Sequence, residues 1–353
     1  MLTADAPVLL LQHDGLEDLS GKTGLALLRY RQGPVVAVLD PGRAGADLPT
    51  LTGIPRPVPV VASVAEAMLY GPQVAVVGLA PSGGRLPPPV REAVVEALRA
   101  GLSVASGLHT RLGDDPELAA LVQPGRWIWD LRREPGQLSV ATGLAAALPC
   151  RRILALGSDM SVGKMSVALE LTAVARGRGL DARFVGTGQA GILIAGGGVA
   201  LDAVRVDYAA GAVEQAVRST AEGAGPEALV FVEGQGSFCH PGSTASLPLL
   251  RGSQPTDLLL VHRAGQATIR NLPHVPLPPL PQLIAVCEAM AALALPVGGR
   301  PARVRAVALN TAHLDDDAAR QAIETVARET GLACADAVRG GAGALLDALL
   351  GSE

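Results

Sequence analysis

The sequence predicts an α/β chain of two domains, each built on a parallel sheet, and three observations carry that reading. Short apolar runs alternate with helical patterns along most of the 353 residues, the habit of sheets covered on both faces. Residues 134–150, rich in Gly, Pro and Ala, separate two stretches of that alternation. Directly after them, 151–170 reads RRILALGSDMSVGKMSVALE: an apolar strand, a glycine loop, a lysine and a helix. That order is a phosphate-binding loop. The expected architecture is a Rossmann-like parallel sheet over 1–140, followed by a P-loop NTPase-like parallel sheet over 149–353.

In the first half, residues 8–12 read as a strand that runs into HDGLEDLSGKTG. Gly15 and Gly21-Lys22-Thr23 mimic a second phosphate loop, but Glu17 and Asp18 inside it would repel an anion. Two readings stay open: a loop leading into a helix at 25–30 with Lys22 on its first turn, or Lys22 contacting a ligand. Strands follow at 35–39, 58–62, 74–79 and 102–106, with helices at 64–69 and 88–100. No GxGxxG follows the first strand, so a nicotinamide cofactor is not expected. The loops past the strand ends hold Asp40, then Pro81-Ser82-Gly83-Gly84-Arg85, then Ser106-Gly107-Leu108-His109. His109 is a candidate ligand or proton carrier, or else a turn histidine. Trp127, Trp129, Asp130 and Arg132 alternate as a closing strand, with the tryptophans in a core or interface.

In the second half, Gly157, Ser158, Asp159, Met160, Ser161, Val162 and Gly163 form the expected anion nest, with Lys164 reaching over the phosphates. Five residues separate the glycines where four are usual. The position after the lysine, where a Ser or Thr ordinarily ligates Mg²⁺, is Met165, and a thioether is a poor ligand for a hard cation. Ser166 lies roughly 100° further around the helix and would substitute only in a displaced loop. A strand at 182–185 ends in Gly186-Thr187-Gly188-Gln189, where backbone meets ligand, and 209–221 is a helix. The strand 228–232 ends in Glu233, the place where P-loop enzymes set a carboxylate near metal and phosphate. Gly234 and Gly236 permit close approach, and His240 is a candidate general base. After the strand 258–261 come His262 and Arg263. Five prolines within 273–281 then imply a stiff, extended segment barred from a sheet interior. A helix at 283–295 follows, then a strand at 304–309 that presents Asn310, an amide suited to reading a base ring. Helices at 315–329 and 342–350 complete the chain.

A net charge of −4 gives no electrostatic reason for a nucleic-acid partner. No apolar run reaches membrane length, and no basic segment precedes residues 8–11, so neither a span nor a signal peptide is expected. The cysteines (Cys150, Cys239, Cys287, Cys334) show no metal-ligand spacing and read as reduced thiols of a cytoplasmic protein. Of 29 basic residues only Lys22 and Lys164 are lysines, and both follow a glycine. Asn271 and Asn310 are the only asparagines.

Together, GSDMSVGKMS, GTGQAGILIAGGG, VEGQGSFCHP, the proline segment and ALNT resemble a bacterial and archaeal family described as a domain of unknown function. SGKTGLALLRY, PSGGRLPP, SGLH and WDLRR resemble its N-terminal half, so the resemblance spans nearly the whole chain. The second half is also similar to dethiobiotin synthetase in the GxDxxVGK loop and the EGxG strand end. Some family members are assigned as D-glutamate N-acetyltransferases. The resemblance thus implies transfer of acetyl from acetyl-CoA to the amine of an acidic amino acid, D-glutamate. In that reading the nest, Lys164, Met165, Ser166 and Asn310 hold the nucleotide, and Arg85 or Arg263 clamps substrate carboxylates. His109, Gly188 and Gln189 line the substrate, Glu233 or His240 takes the ammonium proton, and N–H groups near Gly234 or Gly236 hold the oxyanion. The alternative is an ATP- and Mg²⁺-dependent ligase or kinase acting on a carboxylate, with Ser166 and Glu233 as metal ligands. A nucleotide-sensing regulator is the non-enzymatic reading. The proline segment and the 49% hydrophobic content also lead one to expect a homo-oligomer.

Overall fold

The structure, a computed structural model, describes residues 2–3, 5–81, 84–296 and 299–351. Its contacts divide it into two units: Met1–Glu134 with Gln189–Ala203, and Pro135–Gly188 with Val204–Glu353. Among the described residues no helix is long and apolar enough to cross a membrane.

The first unit holds β1 (Val8–Leu11), α1 (Lys22–Tyr30), β2 (Val35–Leu39), α2 (Leu48–Thr52), β3 (Val60–Val61) and α3 (Val64–Ala67). It continues with β4 (Val74–Val77), α4 (Pro88–Arg99), β5 (Ser103–Ser106), α5 (Pro116–Ala120) and β6 (Ile128–Asp130). The six strands are parallel in the order β3-β2-β1-β4-β5-β6. This is the Rossmann order, reversing between β1 and β4. β1 and β4 are buried throughout, as strands covered on both faces must be. Side-chain alternation splits β1 between two cores. Val8 and Leu10 face Leu27 and Leu28 of α1, while Leu9 and Leu11 face Val90, Val94 and Leu98 of α4. The strand expected at 58–62 shrinks to Val60–Val61 because Pro57 and Pro59 have no N–H to give a ladder. Trp127 and Trp129 pack edge to face, 6.4 Å apart, against the first of these cores.

The second unit is ordered around β7 (Arg151–Gly157) and α6 (Lys164–Gly177), followed by β8 (Ala182–Val185). After α7 (Gln189–Ala195) come α8 (Val206–Thr220), β9 (Leu229–Val232), α9 (Ser246–Ser253) and β10 (Asp257–Arg263). The chain closes with β11 (Thr268–Ile269), β12 (Leu272–Pro276), α10 (Leu280–Ala291), β13 (Arg303–Asn310), α11 (Asp316–Thr330), β14 (Ala333–Ala335) and α12 (Gly343–Leu350). Its six parallel strands run β14-β13-β10-β7-β9-β8. The proline-rich run enters an antiparallel two-stranded ribbon, β11–β12, which has no interior position for a proline to spoil.

Among the elements that escape the sequence pattern are α2, α5, α7, α9 and β14. The α9 segment SLPLLRGS contains a proline and a glycine and is a poor helix former. It forms because it packs on α8, where a Cβ on Gly252 would lie 2.2 Å from the Ala210 carbonyl oxygen. Residues 189–203, read from sequence as part of the second domain, group instead with the first unit. Ile192 and Leu193 of α7 join the core that holds Val8, Leu27 and Leu28.

Candidate functional site

β7 delivers Gly157 to the edge of the second sheet, and the chain then turns through 158–163 into α6. Ser161 has φ +57° and Gly163 φ +116°, left-handed conformations that turn backbone N–H groups toward one point. Lys164, the first residue of α6, is buried. Its stem runs in a trough made by two glycines. A Cβ on Gly157 would lie 2.7 Å from Nζ, and one on Gly234 would lie 2.8 Å from Cδ and 1.6 Å from the Ala155 carbonyl oxygen. Nζ donates to the Asp159 carbonyl at 2.8 Å. Burial pulls the Lys164 pKa down to about 8, against the opposing pull of Asp159 and Glu233.

Strands β9, β10 and β13 all lead to side chains that fix the loop. Past β9, Ser237 Oγ donates to the Ser158 carbonyl at 2.7 Å. On β10, His262 Nδ1 lies 2.8 Å from Ser158 Oγ, and burial pulls the His262 pKa down to about 4, so the ring is neutral. At the end of β13, Asn310 Nδ2 donates to the Val162 carbonyl at 3.0 Å while Oδ1 accepts from the Ala312 N–H. The amide expected to read a base ring is therefore engaged in holding the loop. Asp159, expected to touch the nucleotide, is likewise engaged within the protein. Its Oδ2 accepts from Gln266 Nε2 at 2.6 Å and the Arg270 N–H at 2.7 Å, and its Oδ1 from the Met160 N–H.

Glu233 caps β9 and is almost wholly buried. Oε2 accepts from the N–H groups of Thr187 and Gly188 at 2.8 and 3.1 Å, and Oε1 from Gln235 Nε2 at 3.1 Å. Burial pushes its pKa up to about 7, opposed by those two N–H groups and by Lys164. Gly188 thus meets Glu233. His240 Nδ1 accepts from the Gly242 N–H at 3.0 Å, so a neutral ring carries its proton on Nε2. Arg263 ends β10, half-buried, and its guanidinium has no hydrogen bond or ion pair among the described residues. Met165 and Ser166 sit half-buried on the first turn of α6.

Arg85, His109 and Gln189 belong to the first unit. Arg85 and His109 are exposed, and the His109 ring lies over Gly84, whose φ is +62°. Ser82 and Gly83 lie outside the described residues. Gln189 opens α7 against Gly107, with Oε1 buried and without a hydrogen-bond partner among the described residues. Lys22 is exposed at the start of α1. The loop before it is filled by Gln12, whose Nε2 donates to the carbonyls of Gly15 and Gly21 at 2.9 and 2.8 Å.

The sequence reading gave no role to Ser237, Gln266 or His262. His262 reaches the loop because Val261 pairs with Gly157 across β10 and β7, a register invisible until the strand order is known.

Comparison with known proteins agrees with both halves. Residues 139–346 match the family described as "Domain of unknown function (DUF1611_C) P-loop domain", and residues 41–134 its DUF1611_N Rossmann-like domain. A D-glutamate N-acetyltransferase of Tritonibacter scottomollicae is 34% identical over 347 residues, 98% of either chain. One of the same name from a Pseudoalteromonas species is 34% identical over 281 residues, covering 79% of this chain and 82% of its own. The crystal structure of a DUF1611 family protein from Anabaena variabilis superposes with a TM-score of 0.91 at 52% identity, over 99% of this chain and all of that one. With its two domains matched in order and relatives aligned end to end, this chain belongs to the DUF1611 family.

Proposed function

We propose that the chain is an N-acetyltransferase that moves acetyl from acetyl-CoA to the amine of an acidic amino acid, D-glutamate, with the P-loop holding the nucleotide pyrophosphate. The observation that carries the reading is the end-to-end likeness to a protein named for that activity. The donor set of the loop supports it. Met165 stands where a magnesium hydroxyl would, and its thioether does not fit a Mg²⁺ site. The loop does fit a nucleotide held by N–H groups and one ammonium.

In the reaction the amine nitrogen attacks the thioester carbonyl, the C–S bond breaks and coenzyme A leaves as its thiol. The substrate ammonium must first lose a proton. Glu233, pushed up to about 7, is matched to that transfer near neutral pH. Oε1, with one neutral donor, is the oxygen with capacity to accept. His240 suits a hydrogen-bonding role: with Nδ1 accepting from the Gly242 N–H, its Nε2–H is left to hydrogen-bond the departing sulfur, and the thiolate takes the proton that the attacking amine sheds. Arg263, whose guanidinium has no partner among the described residues, is the one we assign to a substrate carboxylate.

Calorimetric titration with acetyl-CoA and with ATP, each with and without Mg²⁺, tests the reading. Acetyl-CoA binding that ignores Mg²⁺, falls about a hundredfold in Lys164→Ala and yields N-acetyl-D-glutamate on adding D-glutamate is the expected outcome. ATP binding that requires Mg²⁺, with no response to acetyl-CoA, would replace it by the ligase.

A further inference from the structure

We propose that Arg270 selects a nucleotide bearing a second phosphate, the 3′-phosphate that distinguishes coenzyme A from its dephospho form, and that Asp159 positions it. The inference rests on the acetyl-CoA reading above.

β11 and β12 are joined by the two-residue turn Arg270-Asn271, with Asn271 left-handed at φ +65°. Asparagine tolerates that conformation where most residues do not, which gives a use to one of the chain's two asparagines; the other, Asn310, holds the phosphate loop itself. The tip of this ribbon is pinned to the loop. The Arg270 N–H and Gln266 Nε2 both donate to Asp159 Oδ2, at 2.7 and 2.6 Å. Asp159 is 1% exposed, and its other oxygen accepts from the Met160 N–H. Both oxygens of that carboxylate are thus engaged with the backbone and with Gln266. It forms no ion pair with the Arg270 guanidinium, which is exposed and has no partner among the described residues.

The backbone that carries this guanidinium is therefore pinned to an anion nest that already has its own N–H groups and Lys164. Those groups suffice for a pyrophosphate. A phosphomonoester elsewhere on the same ligand adds about two negative charges, and a guanidinium meets it with paired hydrogen bonds. Under the acetyl-CoA reading the ligand carries one such group, on the ribose. Arg263 is left for the amino acid.

The test is calorimetric titration of the full chain with coenzyme A and with 3′-dephospho-coenzyme A. The intact protein is expected to favour coenzyme A about tenfold or more. Arg270→Ala should bring the ratio near one without changing the affinity for the dephospho form, and Arg270→Lys should restore part of it. Asp159→Asn should lower the ratio through the ribbon, while Arg263→Ala should leave it alone and raise KM for the amino acid. A ratio near one in the intact protein, or equal weakening of both ligands by Arg270→Ala, would overturn the proposal while leaving acetyl-CoA as the donor. Binding of neither ligand would overturn the donor assignment itself.

Discussion

Two turns in this chain share one spelling and differ in what they hold. Both follow the first strand of a six-stranded parallel sheet, and both read glycine, five residues, glycine, lysine: Gly15 to Lys22 and Gly157 to Lys164. In the first, Gln12 folds its amide into the turn, and Gly24 and Gly78 make room for it. A Cβ on either would lie 1.9 or 2.1 Å from Gln12 Oε1. Glu17 pairs outward with Arg43, and Lys22 is exposed. In the second, the turn is fixed from outside by Ser237, His262 and Asn310, and the lysine is buried in a glycine trough. Glycine spacing permits a phosphate loop. What makes one is support from neighbouring strands and a channel for the lysine stem.

The largest break in that comparison is at the trough. Gly234→Ala places a methyl 1.6 Å from the Ala155 carbonyl oxygen, a backbone atom that cannot turn aside. We expect a loss of about 3 kcal/mol in urea unfolding, together with loss of nucleotide binding as the Lys164 stem is displaced. Gly24→Ala meets the end of a side chain instead. Its cost should be about 1–2 kcal/mol, with part recovered in a Gln12→Ala, Gly24→Ala double variant. Equal costs at both glycines, with no recovery, would show that the two turns are built alike.

The next largest effect is on binding. Lys164→Ala should weaken acetyl-CoA about a hundredfold, the scale of one or two charge-assisted hydrogen bonds. Lys22→Ala should leave it within twofold. A comparable loss from Lys22→Ala would return that residue to the ligand and undo the contrast.

How far the sequence reached depended on the range of the cause. The strands β1, β7 and β10 show as apolar runs because both faces are covered, and Lys164 shows because the motif is local. Gln12 was not legible as the plug of the first turn, since it needs Gly24 and Gly78 brought beside it. His262 and Ser237 were hidden for the same reason, depending on β10 and β9 lying on either side of β7. Asp159 was legible as part of the loop but not as an internal anchor, because its partners lie 107 and 111 residues away. Helix α9 needed α8 to exist. Local chemistry was readable, and chemistry made by strand order was not.

The last effect is on stability against pH and needs no ligand. Lys164 is pulled from its ordinary 10.5 to about 8. Between those values the unfolded chain keeps a proton that the folded chain has released, so stability rises with pH across that window. Glu233 is pushed from 4.5 to about 7. There the folded chain keeps a proton that the unfolded chain has lost, so stability falls as pH rises from 4.5 to 7. Between the two windows both groups are charged and buried, and their joint contribution to stability is at its minimum. Each slope is at most about 1.4 kcal/mol per pH unit. Urea midpoints measured from about pH 5 to 10, read as differences between the intact chain and variants at Lys164 and Glu233, should show both limbs, because His262, pulled down to about 4, opposes the lower one in the intact chain. Lys164→Met should flatten the upper limb and Glu233→Gln the lower. A Lys164→Met profile that still rises above pH 8 would mean that the trough does not desolvate its lysine, and the two turns would then differ in shape alone.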